Sequence, residues 1–421
     1  MTVPNGRIGR GYSVAFAIGT IGAGLSLPNL IVYLITIADF DPVAAGATTA
    51  AAAVARLALV IPAAALAQRL GANRSTILSS TLAAVTLVGM VLGHAHPGLV
   101  VFFFLLNVLP ERVYWAAWPV FVEDLVGAGN LGRGLADANA VKNVGLIAGS
   151  AAGLLTLMFA DDGALLVLLA VSGAASLASG LVQAWLTRGR RRLSPPSPPP
   201  AVADGREDAP RTGMWLAVGH FGGIRFVNSA LTFVESTYLV GVHGFPAWLP
   251  SATFFIAAMS PIVLRAPLTR GATPEGARRV LSGQLALTTA AVVITAACTA
   301  FPVTALLTAA AVVAGVARGT SDNISGSMAY LAVQSTSAAP LSSHRIGVLE
   351  LAYTAAQFGS RMLAWSLPVI ALPVALTLAA LVGTTAVLSR RLSRSGHRSL
   401  SQPTATDDQA ALTSRRAPGS R

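Results

Sequence analysis

Ionisable and amide side chains recur at helical spacing inside stretches that are otherwise apolar. Between residues 213 and 240, Arg225, Asn228, Ser229, Thr232, Glu235 and Ser236 fall at i, i+3, i+4, i+7, i+10 and i+11, one face of a helix. Glu350, Tyr353, Thr354, Gln357 and Arg361 repeat the pattern, as do Asn107, Glu111, Trp115 and Trp118, with Arg112 about 100° around from Glu111. Shorter sets are Asn29, Tyr33 and Thr36, and Arg318, Ser321, Asp322 and Ser325; Arg56 and Lys142, in two further apolar runs, complete the set. Carboxylates in such places can exchange protons. Arginines can hold a carboxylate or phosphate, and the aromatics Trp115, Trp118, Tyr33, Tyr238 and Tyr353 can wall an organic molecule. Covalent chemistry finds no support. There is no Gly-Lys-Ser/Thr phosphate loop, no His-Glu-x-x-His and no cysteine pair, and the single cysteine, Cys298, sits in an apolar run as a packing residue. The pattern predicts no enzyme, no metal and no cofactor.

The spacing also suggests partners. Arg318 and Asp322, at i and i+4, suit a local ion pair, and Glu350 can pair with Arg345. Glu111 and Arg112 are adjacent, so on a helix they point apart and each needs a partner elsewhere; Glu111 stays open between a structural pair and a proton-carrying role. Glu235 has no base within four residues, and a carboxyl group isolated from cations in an apolar span is the kind that carries a proton, which makes it the first candidate for coupling. The alternative is a salt bridge to another helix. Counting Arg56, Arg112, Lys142, Arg225, Arg318 and Arg361 against Glu111, Glu235, Asp322 and Glu350 leaves two surplus positive charges. Such a surplus favours an anionic ligand, unless the extra arginines reach toward an aqueous edge.

The elements that must position these groups are membrane spans. The chain of 421 residues is 54% hydrophobic and only 11% charged, far below the roughly 25% of soluble domains. Runs long enough to cross a bilayer fall near 12–36, 44–67, 76–94, 98–122, 138–160, 163–187, 213–240, 247–267, 279–300, 303–327, 346–367 and 369–389. The first is too long, and too closely followed by the second, for a cleavable signal peptide. Between the sixth and seventh runs lies Arg188–Arg211, with six arginines and six prolines, which reads as a solvated linker. Basic loops (Arg7 and Arg10; Arg69 and Arg74; Arg133; Arg265 to Arg279; Arg345; Arg390 onward) alternate with loops lacking Lys and Arg, such as 37–43 and 161–162. The positive-inside rule then puts both termini in the cytoplasm. The predicted architecture is an all-α membrane protein of twelve transmembrane helices: a six-helix half (1–187), a cytoplasmic linker (188–212), a second six-helix half (213–390) and a disordered tail (391–421). The net charge of +12 reports this topology, and no nucleic acid is expected. Helix five carries Gly145, Gly149 and Gly153, a face suited to close helix approach.

Twelve spans divided six and six resemble the major facilitator superfamily over nearly the whole chain. The loop after helix two carries the rest of the resemblance. In that family it reads Gly-x-x-x-Asp-Arg-x-Gly-Arg-Arg; here it is Ala64-Ala65-Leu66-Ala67-Gln68-Arg69-Leu70-Gly71-Ala72-Asn73-Arg74. Arg69 and Gly71 match, Arg74 lies one residue beyond the last arginine, and Gln68 and Ala64 replace the acidic and first glycine positions. Helix five lacks the Gly-Pro pair of many of the family's drug–proton antiporters. The resemblance implies a cavity between helices one, four, seven and ten, and rocking of the two halves about it. It implies a secondary transporter in the cell membrane, with membrane lipids, a small-molecule substrate and protons as partners, and a monomer. The reading favoured is proton-coupled export of a drug-like or natural-product compound. The alternatives are uptake or exchange of an organic anion or other metabolite, or a receptor or scaffold that transports nothing. Candidate cavity residues are Asn29, Tyr33, Arg56, Asn107, Arg112, Trp115, Trp118, Arg225, Asn228, Thr232, Asp322, Tyr353, Gln357 and Arg361. Glu235 and Glu111 are the coupling candidates, and Arg69, Gly71 and Arg74 form the cytoplasmic gate loop.

Overall fold

Proline decides where the early spans bend. The computed structural model describes residues 9–126, 131–159, 163–188, 211–242, 244–269 and 304–321, with isolated positions between 280 and 298 and at 355, 356 and 359. Helix α1 (Arg10–Ser26) stops just before Pro28, and α2 (Leu30–Thr36) completes the first span. Helix α3 (Pro42–Ala58) ends four residues before Pro62, and α4 (Val60–Leu70) leaves it at 53°. After α5 (Ala72–Leu92), α6 (Pro97–Leu106) ends four residues before Pro110, and α7 (Val108–Val126) follows a turn at Asn107. Proline lacks the N–H that would bond the carbonyl four residues back, and its ring clashes with that carbonyl, which is where α3 and α6 stop.

The next two spans, α8 (Leu131–Phe159) and α9 (Ala164–Thr187), are unbroken. Helix α10 (Arg211–Phe233) runs on as a π-helical segment, Val234–Val242, and is followed by α11 (Leu249–Thr269) and α12 (Thr304–Thr320). Among the described residues there is no strand. Five described helical stretches are long and apolar enough to cross a bilayer, and six with the bent α3–α4 pair. They coincide with the first six apolar runs of the sequence. Residues 189–210, all but isolated positions of the ninth and eleventh runs, the twelfth run and the tail lie outside the described residues.

Helix α1 packs against α8 and α9, α5 against α7 and α9, and α11 against α8 and α12. The α1–α8 seam is made by small residues: a Cβ at Gly145 would strike Thr20 Oγ1, and one at Gly149 the carbonyl of Ile21. A similar seam joins α12 to α11, where a Cβ at Gly319 would strike the carbonyl of Ala257. Asp41 begins α3 as its N-cap, accepting from the Val43 and Ala44 amides at 2.8 and 2.9 Å, with Pro42 at the first helical position.

Contacts also join the chain before the predicted linker to the chain after it. Val240 packs with Val32 and Leu165, Gly241 faces Ile35 and Pro42, and the Ser251 hydroxyl donates to Asn29 Oδ1 at 2.9 Å. Most of these residues border the loops at 37–41 and 244–248, the end that carries Asp39 and Asp41.

Candidate functional site

The helix breaks create new helix ends partway along the second and fourth spans, and charged residues occupy them. Arg56 lies in the last turn of α3 and Glu111 in the first turn of α7. A cation at a helix C-terminus and an anion at an N-terminus are each favoured by the helix dipole, by about 0.3–1 kcal/mol at the surface and up to ~2 kcal/mol when partly buried. The two meet: Arg56 Nη2 is 2.6 Å from Glu111 Oε2. Arg112 Nη2 reaches the other carboxylate oxygen at 3.4 Å. Adjacent residues were expected to point apart, yet the long arginine side chain bends back to its neighbour, so Glu111 lies between two guanidiniums. The side chains of Arg56, Glu111 and Arg112 are 18%, 33% and 12% exposed. Both Nε atoms are buried without a hydrogen-bond partner.

Helix α10 carries the second polar group. Arg225, Asn228 and Ser236 are buried, while Ser229 and Thr232 are half-buried. The Arg225 guanidinium lies 5.1 Å from the Phe221 ring centre, and the Thr232 hydroxyl donates to the Asn228 carbonyl at 3.0 Å. The Asn228 amide is 5% exposed, and neither its oxygen nor its nitrogen has a partner. Such a group costs about 1–3 kcal/mol and needs an explanation. Glu235 is the second residue of the π-helical segment. There i→i+5 bonding widens the turn, so positions further along rotate away from the face that α-helical spacing extrapolates.

Other candidates are engaged in packing in this conformer. The amide of Asn29, fully buried at the α1–α2 break, donates to the Leu25 carbonyl at 2.8 Å and accepts from Ser251. Tyr33 was expected to line a cavity; it is fully buried, and its hydroxyl donates to the Met90 carbonyl at 2.7 Å. Asn107 accepts from Thr86 at 2.8 Å, tying α5 to the α6–α7 break. Trp118 stacks with Phe16 and Tyr114, with ring centres 4.5 and 5.2 Å apart, in an aromatic cluster that borders a small pocket with Tyr12, Phe121 and Gln183. Trp115 is 48% exposed and meets Tyr114 edge-on. Arg69 and Arg74 are exposed, and between them Gly71 takes φ +81°, a conformation that favours glycine. Asp322, Tyr353, Gln357 and Arg361 lie outside the described residues, as does the Arg318–Asp322 pairing. Arg318 itself is buried, 5.7 Å from the Phe254 ring centre.

Three features escaped the sequence reading. Pro28, Pro62 and Pro110 interrupt apolar runs, a visible signal for broken helices. The Gly315–Gly319 seam follows the same spacing as the glycines of helix five. The pairing of Ser251 with Asn29, 222 residues apart, leaves no local trace.

Comparison with known proteins gives one answer from two directions. The sequence model of the Major Facilitator Superfamily matches residues 12–365. Solved structures share the architecture at low identity. A crystal structure of a mutant of peptide transporter POT aligns with TM-score 0.67 at 12% identity, covering 92% of this chain and 94% of that one. A mutant of nucleoside transporter NupG gives 0.62 at 15%, covering 90% and 98%. A bacterial homologue of the iron transporter ferroportin, in an inward-facing state, gives 0.65 at 11%, covering 91% and 98%. No curated protein matches the chain in sequence. At these identities the structures speak for the fold alone, and the family match extends over most of the sequence. A helical chain with breaks and charges inside its membrane spans, matched from residue 12 to residue 365, belongs to the major facilitator superfamily of multi-pass membrane transporters.

Proposed function

We propose that the protein exports a small organic, drug-like or natural-product compound from the cytoplasm across the cell membrane by proton-coupled alternating access. In this reading twelve spans form two six-helix halves, with both termini and the linker cytoplasmic. The Asp39/Asp41 end is then the outer face, and contacts such as Asn29–Ser251 and Val240–Val32 close it in this conformer. The observation that carries the proposal is the Arg56–Glu111–Arg112 cluster at the helix breaks. A carboxylate one third exposed there faces water, because a charge turned to lipid costs about 2.5–3.5 kcal/mol or more. Broken helices inside the membrane are also where transporters of this kind place their binding sites. Glu235, in the π-helical segment of the seventh span, is the proposed proton carrier.

The test uses purified protein in proteoliposomes, with solutes selected by their ability to raise its unfolding temperature. An imposed pH gradient should drive their movement. Glu235→Gln should abolish driven flux while leaving solute exchange intact. Full driven flux in that variant removes Glu235 from the coupling role, and flux indifferent to the gradient in the wild type removes proton coupling altogether.

A further inference from the structure

We infer that the solute bears a carboxylate, and that Glu111 is its resident stand-in, holding the arginine pair until the solute's own carboxylate displaces it. The inference rests on the transporter reading above and names the substrate class for the same cavity.

Charge is the first argument. Among the described residues two guanidiniums meet one carboxylate, one positive charge in excess, in a medium where unbalanced charge is expensive. Geometry is the second. Arginine holds a carboxylate best through a planar fork of two parallel N–H donors. Here each guanidinium approaches Glu111 with Nη2, while each Nε, the other prong of the side-on fork, is buried and unpartnered. Two desolvated donors are therefore unused, one on each arginine. Unequal hold is the third: Glu111 sits 2.6 Å from Arg56 and 3.4 Å from Arg112, which leaves Arg112 the looser partner. Access is the fourth, because Glu111 is one third exposed whereas the arginines behind it are less so. A ligand arriving from water meets the carboxylate first and the arginines once it swings aside. A pair serving only to hold α3 to α7 needs one arginine, filled donors and no opening to water.

The experiment uses the full chain in detergent with benzoate as probe, benzamide as its neutral isostere and benzylamine as its cationic counterpart. Benzoate should raise the unfolding temperature saturably, and benzamide and benzylamine should not. Glu111→Gln removes the competing charge and should tighten benzoate binding about five- to tenfold; Arg112→Gln should abolish it. Equal shifts from benzoate and benzamide, no benzoate shift, or unchanged benzoate binding in Arg112→Gln would overturn the inference. If Glu111→Gln does not fold, the wild-type comparison of the three probes decides alone. Counterflow of radiolabelled benzoate separates the two readings. Exchange of benzylamine or benzamide without benzoate leaves a transporter with the wrong substrate class, and benzoate binding with no exchange of any solute defeats the transport reading.

Discussion

The hydrogen bond from Ser251 to Asn29 joins the two halves of the chain, and removing it should shift the protein toward a conformer open at the Asp39/Asp41 end. Asn29 is fully buried, and its Oδ1 takes the Ser251 proton at 2.9 Å while its nitrogen serves Leu25. In Ser251→Ala the oxygen is left buried without a donor, at a cost of about 1–3 kcal/mol. The cost falls on the closed conformer alone, since water can pair Asn29 once that end opens. A bias of about 1–3 kcal/mol multiplies the open population by ~5–150. Val240 reports it, being buried against Val32 and Leu165. In a Cys298→Ser background, Val240→Cys should react with a water-soluble maleimide faster by that factor when Ser251→Ala is added. Adding Asn29→Leu to Ser251→Ala removes the orphaned oxygen and should return most of the difference, giving clear non-additivity. Unchanged labelling in Ser251→Ala refutes the latch. So does faster labelling that only tracks a fall in unfolding temperature.

Four further outcomes follow from the same geometry. Gly149→Ala should lower the unfolding temperature, at about 1–3 kcal/mol for overpacking against the Ile21 carbonyl, whereas Gly153→Ala, whose nearest neighbour is 3.5 Å away, should be tolerated. Gly71→Ala should cost about 1–3 kcal/mol through its backbone alone, because nothing crowds the position but φ is +81°; the same thermal assay reads it. Arg56→Gln should destabilise by about 1–3 kcal/mol, less than the 3–5 of a fully buried pair because Glu111 keeps Arg112 and some solvent. Asn228→Leu should raise the unfolding temperature, as a buried unpaired amide disappears, while counterflow falls.

The positions of the first six spans were legible because hydrophobic length is set by the bilayer and needs no tertiary information. The glycine face of helix five was legible for a similar reason, since close approach depends on small residues at fixed spacing. Burial of Arg225 and Asn228 follows α-helical periodicity. What single-helix spacing cannot carry is the partner. Arg56 and Glu111 lie 55 positions apart and meet at helix ends set by Pro62 and Pro110. Those prolines were visible, and their breaks were predictable where the pairing was not. Tyr33 looked like a cavity wall, yet an aromatic with one polar atom packs equally well when that atom finds a carbonyl, as Tyr33 does at Met90. The polar face of helix seven also assumed α-helical spacing throughout, which the π-helical segment from Val234 does not keep.

Labelling by a charged, water-soluble thiol reagent tests most directly whether the polar side chains border a wet passage rather than lipid. In a Cys298→Ser background, Thr232→Cys on the polar face of α10 and Leu181→Cys, 61% exposed on α9, form the decisive pair. In membrane vesicles Thr232→Cys should react and Leu181→Cys should stay unmodified, because its exposure is to acyl chains. Reaction at Leu181→Cys with none at Thr232→Cys would contradict the passage, and with it the transport mechanism built on it.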